Sequence, residues 1–68
     1  MNRLNMIVYS LNEVIAYLMC AQHYIAKEEE NKEKRREEIR MIMEKIGEAV
    51  EERGKWIAIR ESVRKGVE

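Results

Sequence analysis

The sequence predicts an all-α fold, a two-helix antiparallel hairpin that dimerises into a four-helix bundle. The chain has 68 residues, of which 46% are hydrophobic and 38% charged, with 3 Gly and no Pro. A chain rich in helix-forming residues and poor in helix breakers is typical of helical proteins. The hydrophobic fraction argues against a disordered chain, and the shortage of turn residues argues against a β-sandwich or barrel. One cysteine excludes a disulfide scaffold, and we treat residues 1–68 as one domain.

The first predicted helix covers about residues 3–28 and carries an apolar stripe in steps of three and four. The stripe consists of Leu4, Ile7, Leu11, Val14, Leu18, Ala21 and Ile25. This is the spacing of the a and d positions of a heptad, which form the seam between packed helices. Val8 and Ile15 widen the stripe on one side, and Tyr17 and Tyr24 widen it on the other. A helix that is apolar on most sides is typical of a buried one.

A charged zone at residues 27–38 contains no apolar side chain and holds the predicted turn, at about 29–34. Asn31 is best suited to a turn, and we expect it to end the first helix in a left-handed conformation. The heptad spacing continues through this zone. One continuous helix of about 95 Å, in an antiparallel coiled coil, is therefore the alternative. Helices of that length are uncommon, which favours the hairpin.

The second predicted helix covers about residues 33–65 and is amphipathic. Its apolar residues include Ile39, Ile42, Met43, Ile46, Ala49, Val50, Trp56, Ile57 and Val63. Arg53 and Arg60 fall on the same stripe, where a charge is unusual. If the chain folds back near residue 32, facing residues have numbers that sum to about 64, and apolar residues face each other. We expect a Glu13–Arg53 ion pair, within or between chains, that sets this register, with Glu13 in water as the alternative.

Two helices cannot bury this much apolar surface, so the sequence predicts a homodimer. The hairpin would leave Val8, Ile15 and Met19 exposed, and one core of this size gives little net stability. The residues expected at the oligomer interface are Leu4, Ile7, Val8, Leu11, Val14, Ile15, Leu18, Ile25, Ile39, Ile42, Ile46, Val50, Trp56 and Ile57. Gly47 and Gly54 indicate either a close helix contact or a tolerated loss of about 1 kcal/mol each.

The sequence contains no group of residues that indicates catalysis, a cofactor or a metal site. Cys20 and His23 are three residues apart and could share a helix face, but structural zinc usually needs four ligands. We expect a buried free thiol at Cys20 and a histidine at the edge of the bundle. No base, nucleophile and orienting group stand together, so we expect no enzymatic activity.

The function expected from these features is that of a cytoplasmic, non-enzymatic interaction protein. It would bind another protein through helix 2, as a regulator, inhibitor or adaptor of the kind that phages and plasmids often encode. The basic residues expected to contact the partner are Arg53, Lys55, Arg60, Arg64 and Lys65. Nucleic acid is the alternative partner for this basic stripe. Trp56 is expected to close the open end of the bundle, with a role as a partner-binding anchor as the alternative.

A third hypothesis is a purely structural coiled coil or a membrane-associated helix. Residues 6–26 are long enough to span a bilayer. Glu13 lies near the middle of that segment, where a charge opposes insertion by about 2.5 kcal/mol or more. We therefore do not expect a membrane partner. The lone cysteine and the absence of a recognisable signal segment favour the cytoplasm.

Overall fold

The computed structural model describes residues 3–67 and shows an antiparallel pair of helices. Helix α1 covers Arg3–Glu28 and helix α2 covers Lys32–Val67, with residues 29–31 between them. The molecule measures 55 × 18 × 11 Å. Its long dimension is that of α2 alone, since 36 residues span about 54 Å. The prediction of an all-α hairpin is confirmed, and the chain does not form one continuous helix.

The turn is held by hydrogen bonds around Asn31, which begins α2 instead of ending α1. The Oδ1 atom of Asn31 accepts a hydrogen bond of 3.0 Å from the backbone amide of Lys34, and its carbonyl accepts one of 2.9 Å from Arg35. This is the geometry of an N-cap, in which asparagine is among the preferred residues because its oxygen satisfies a free helical amide. No non-glycine residue in the described range has a positive φ. The expected left-handed C-cap is therefore wrong.

Glu29 closes the turn from the other side. Its backbone amide donates to the carbonyl of Ile25 at 3.0 Å, which continues the hydrogen bonding of α1 by one residue. Its Oε1 atom accepts from the amide of Asn31 at 3.3 Å, and its carbonyl accepts from Nη1 of Arg35 at 3.4 Å. The backbone groups of Glu29 and Asn31 are thus engaged in hydrogen bonds, which stabilise a chain reversal in a segment without glycine or proline.

The face of α1 that packs on α2 is centred on Val8 and Ile15, each 6% exposed. The expectation that the hairpin would leave these two residues exposed is wrong. Val14, which the heptad count placed at the seam, is 45% exposed. The helix is rotated about its axis relative to the expected orientation, because Asn5 and Asn12 lie on the Val8 side and form hydrogen bonds to α2.

The face of α2 that packs on α1 follows the expected stripe. Its half-buried residues include Ile39, Ile42, Ile46, Ala49, Arg53, Trp56, Ile57 and Arg60. Val50 lies at the margin and is 40% exposed. A Cβ atom placed on Gly47 or Gly54 would meet nothing within 4 Å, so neither glycine marks a close helix contact inside the hairpin. The four-helix bundle is a prediction that one chain does not test.

Candidate interaction surfaces

Two arginines of α2 reach across the hairpin to two asparagines of α1. Nη1 of Arg53 donates to Oδ1 of Asn12 at 2.9 Å, and Nη1 of Arg60 donates to Oδ1 of Asn5 at 3.2 Å. In each pair the residue numbers sum to 65, and the two pairs are one heptad apart. A hydrogen bond with one charged partner is stronger than a neutral one. A slip of the helices by one turn would break both pairs, so the pairs set the register.

The expected ion pair between Glu13 and Arg53 is not formed within the chain. Arg53 is bonded to Asn12, while Glu13 is exposed and has no ion pair with any residue of the described range. Consecutive residues of an α-helix point about 100° apart. The orientation that brings Asn12 to Arg53 therefore turns Glu13 away from α2. Pairing between two chains stays a prediction.

The five basic residues near the end of α2 do not share one exposed surface. Arg60 is turned inward, with 26% of its side chain exposed, and its Nε atom is buried without a hydrogen bond. That atom lies 3.9 Å from Oε1 of Glu61, and Nη1 of Arg64 lies 3.6 Å from the same oxygen. The exposed members of the stripe are Lys55, Arg64 and Lys65. Arg64 and Lys65 also lie in the last turn of α2, where cations complement the helix dipole.

Trp56 is half-buried on the α1 side of α2. Its indole Nε1 donates to Oε1 of Glu52, one turn earlier on the same helix, at 3.1 Å. The polar atom of the indole is thus satisfied within α2, and the ring is partly covered by the hairpin. Nothing in this arrangement tests whether the remaining exposed part contacts a partner.

The apolar surface that α2 leaves uncovered lies mainly on α1. Tyr17 is 74% exposed and Tyr24 is 67% exposed, and Met6, Tyr9 and Met19 are each more than half exposed. The most apolar 18 residues of α1 have a mean hydropathy of 1.4, and 11% of them are buried. By length and composition α1 could cross a membrane. The core helix of a soluble protein and a signal sequence near an N-terminus have the same length and composition, so these two properties alone do not identify a membrane span.

A shallow groove runs between the helices on the Val14 side of the hairpin. Its apolar floor consists of Leu11, Val14 and Leu18 from α1 with Ala49 from α2. Its rim is charged and consists of Lys45, Glu48 and Glu52.

Two further grooves lie elsewhere on the described surface. One lies on the other flank of the hairpin and is lined by Met19, Gln22, His23, Ala26 and Ile39. The other lies on α2 and is lined by Arg36, Ile39, Arg40, Met43 and Glu44.

Cys20 is a free thiol and is exposed in the hairpin, so the expected burial of this thiol in a dimeric bundle stays a prediction. His23 is also exposed. The residues described by the structure contain no group of three or more His, Cys, Asp or Glu side chains that could hold a metal ion.

The residues expected at the oligomer interface divide into three groups by their burial in the hairpin. Val8 and Ile15 are buried, and Val14 and Val50 are exposed. The half-buried residues are Leu4, Ile7, Leu11, Leu18, Ile25, Ile39, Ile42, Ile46, Trp56 and Ile57. Sequence reasoning missed Asn5 and Asn12, although their spacing of seven equals that of the two seam arginines.

Comparisons of this chain with protein-family models, with curated proteins and with solved structures found no match.

Proposed function

We propose that the chain is a non-enzymatic interaction protein that associates with itself through α1 and binds another macromolecule through α2. The observation that supports self-association is the uncovered surface. The hairpin has an accessible surface of 5742 Å² for a mass of 8.2 kDa. A compact monomer of that mass exposes about 4,500 Å². The difference, roughly 1,200 Å², exceeds the ~800 Å² that each partner contributes to a typical stable interface.

The groove on α2 around Met43 is the surface that we assign to the second macromolecule. Ile39 and Met43 supply an apolar strip, and Arg36, Arg40 and Glu44 border it. Arg40 and Glu44 are already paired with each other at 3.3 Å, so their charges are partly compensated. Methionine is common at binding surfaces because its flexible side chain adapts to different partners. Such a surface on a small oligomer is compatible with a regulator, inhibitor or adaptor, which is the role we propose.

Sedimentation equilibrium over a wide concentration range tests the self-association. We expect a species of twice the monomer mass that dissociates on dilution, and a monomer at every concentration would refute the proposal. A photo-crosslinking amino acid at Met43 tests the second surface in cells. The expected result is one defined adduct heavier than the dimer, absent when the same group replaces the exposed Lys55. Equal labelling from both positions, or no heavy adduct, would refute the role of α2.

A membrane-associated helix is the second candidate, supported by the composition and low burial of α1. Glu13 is exposed near the middle of that helix and opposes insertion. Flotation with vesicles of phosphatidylcholine and phosphatidylglycerol separates the two candidates. Protein that stays at the bottom of the gradient as a dimer supports the first. Protein that floats with the vesicles supports the second and overturns the first.

Nucleic acid is the remaining alternative for the exposed Lys55, Arg64 and Lys65. Its signature is an affinity that falls steeply as salt is raised. The inward orientation of Arg53 and Arg60 leaves fewer charges for such a contact than the sequence offered.

A further inference from the structure

We infer, building on the self-association proposed above, that two copies pack through the side of α1 turned away from α2, with Glu13 of each copy paired to His23 of the other. The contact surface, which we call the back stripe, follows α1 in steps of three and four residues. It consists of Met6, Tyr9, Glu13, Ala16, Cys20, His23 and Lys27. The two α1 helices are antiparallel and lie at the centre of the dimer, with both α2 helices outside.

The back stripe is a second heptad pattern, and the hairpin leaves it uncovered. Glu13 and Cys20 follow the buried Val8 and Ile15 by five positions each, which turns them about 140° away from the contact with α2. All seven residues of the stripe are exposed in the hairpin. Their spacing is that of the a and d positions through which helices pack on each other. The stripe therefore has the pattern of a helix contact without a helix packed on it.

The single acidic residue of the back stripe selects one register. In an antiparallel pair, an a position of one helix shares a layer with a d position of the other, so the allowed registers differ by whole heptads. One of them places Glu13 opposite His23 of the other copy. The neighbouring registers place Glu13 opposite Ala16, Tyr9 or Glu30 instead.

The alternatives to the Glu13–His23 register bring carboxylates together. With Glu13 opposite Ala16 or Tyr9, the two copies of Glu13 lie within about 6 Å of each other along the helix axis. With Glu13 opposite Glu30, two carboxylates face directly, and a parallel pair in register places Glu13 beside its own copy. Like charges at such positions are destabilising. In the Glu13–His23 register the two copies of Glu13 are about 15 Å apart along the axis, and each carboxylate accepts a hydrogen bond from an imidazole.

The rest of the stripe also matches itself in this register. Ala16 of one copy faces Cys20 of the other in the two central layers, where small side chains let the helix axes approach to about 8 Å. Tyr9 faces Lys27, whose ammonium group is attracted to the face of the ring. Tyr17, which is 74% exposed in the hairpin, packs beside its own copy next to the two-fold axis. An isologous contact requires such self-complementarity.

The charge of the back stripe favours a second copy over a bilayer as its occupant. Glu13, His23 and Lys27 take part in none of the ion pairs formed among the described residues. A carboxylate that enters hydrocarbon has no partner there, whereas a second copy supplies one. The surface that the hairpin exposes beyond that of a compact monomer, roughly 1,200 Å², is also large enough for one such contact.

A charge swap measured by sedimentation equilibrium tests the register. Glu13→Lys removes the acceptor, and His23→Glu places two carboxylates opposite each other, twice in each dimer. We expect each single variant to weaken the dimer about tenfold. The double variant, Glu13→Lys with His23→Glu, restores an opposite-charge pair and should return the dissociation constant to within about threefold of the natural value. Both positions are exposed in the hairpin, so the helical circular dichroism spectrum should be retained.

Glu51→Lys is the matched control, because Glu51 is exposed on α2 and undergoes the same change of charge. It should leave the dissociation constant unchanged. If the natural chain forms a dimer that neither single variant weakens more than Glu51→Lys does, the contact lies elsewhere and self-association stands. If the single variants weaken the dimer and the double variant does not recover it, the register is wrong. If the natural chain is a monomer at every concentration, both proposals fall.

The reactivity of Cys20 gives a second readout on the natural chain. The thiol is exposed in the hairpin and is covered by Ala16 of the other copy in the dimer. The rate of labelling with a maleimide dye should therefore fall as the protein concentration rises through the dissociation constant. A labelling rate that stays constant while sedimentation shows a dimer would overturn the inference.

Discussion

The packing of Val8 makes a quantitative prediction, because Val50 provides the same substitution at a position with different burial. Val8 is 6% exposed and lies at the centre of the α1–α2 contact, whereas Val50 is 40% exposed at its margin. Both are interior residues of long helices. Replacing each with alanine therefore changes helix propensity by the same amount and apolar burial by different amounts.

The expected losses follow from the burial of the two methyl groups that each substitution removes. At Val8 the transfer term is about 1.5 kcal/mol, and the space left behind adds about 1 kcal/mol. At Val50 the transfer term is about 1 kcal/mol, with no cavity because the site opens to solvent. Each helix regains about 0.6 kcal/mol in propensity. We therefore expect a net loss of about 2 kcal/mol for Val8→Ala and about 0.4 kcal/mol for Val50→Ala.

Urea unfolding followed by circular dichroism, at one protein concentration for all variants, measures the two losses. A common concentration matters because self-association contributes to the stability of every variant. Equal losses, or a larger loss for Val50→Ala, would refute the conclusion that α1 packs on α2 through its Val8 side. The expected heptad orientation, with Val14 at the seam, would then regain support.

Three further results are expected. A double-mutant cycle between Asn12→Ala and Arg53→Met should show a coupling of about 1 kcal/mol in unfolding free energy. A control cycle between Glu13→Ala and Arg53→Met should show no coupling. Coupling in the control cycle alone would support the Glu13–Arg53 ion pair instead. Asn31→Ala should lower the unfolding free energy by about 1 kcal/mol and Asn31→Gly by a few tenths, whereas a gain with glycine would indicate a left-handed C-cap instead. Gly47→Ala should raise the melting temperature through a gain of about 1 kcal/mol, because nothing lies within 4 Å of the added Cβ, and a loss of stability would reveal a contact with another chain.

The helical hairpin could be predicted because hydrophobic periodicity and the lack of breakers are properties of the whole chain. The pairing of the helices was also predictable, since the observed pairs sum to 65 where about 64 was expected. The rotation of α1 was not. Heptad counting assigns Val8 and Val14 to positions by spacing alone, and a helix that is apolar on several sides can pack in more than one orientation. The choice between them rests on where Asn5 and Asn12 find hydrogen-bond partners.

Local chemistry in the turn and on the surface was harder to predict for a different reason. Asn31 was recognised as a turn residue, but asparagine is favoured both before a helix and after one. Only the hydrogen bond to the amide of Lys34 separates the two roles. Cys20 was expected to be buried because its neighbours are apolar. In the hairpin those neighbours are themselves uncovered, so burial of Cys20 would require a second chain.

Of the apolar residues that α2 was expected to leave uncovered, Met19 is exposed, whereas Val8 and Ile15 are buried. The uncovered stripes of α1 follow from composition, and α1 is too apolar for one partner helix to cover. The basic stripe was read as a surface because its residues are close in sequence. Arg53 and Arg60 fall on seam positions, and their side chains turn inward to reach carbonyl oxygens of asparagine side chains. For these two arginines, a charged residue at a seam position indicated a hydrogen bond within the hairpin better than a contact with a partner.

The antiparallel arrangement has a consequence for how the chain is made. Translation runs from α1 to α2, so Asn5 is synthesised 55 residues before its partner Arg60. At about 5–20 residues per second, the 36 residues of α2 take roughly 2–7 s to synthesise. During that interval α1 is a nascent apolar helix without its partner. Its first half waits longest for its partner, because the residues of α2 that are made first are those that pair next to the turn.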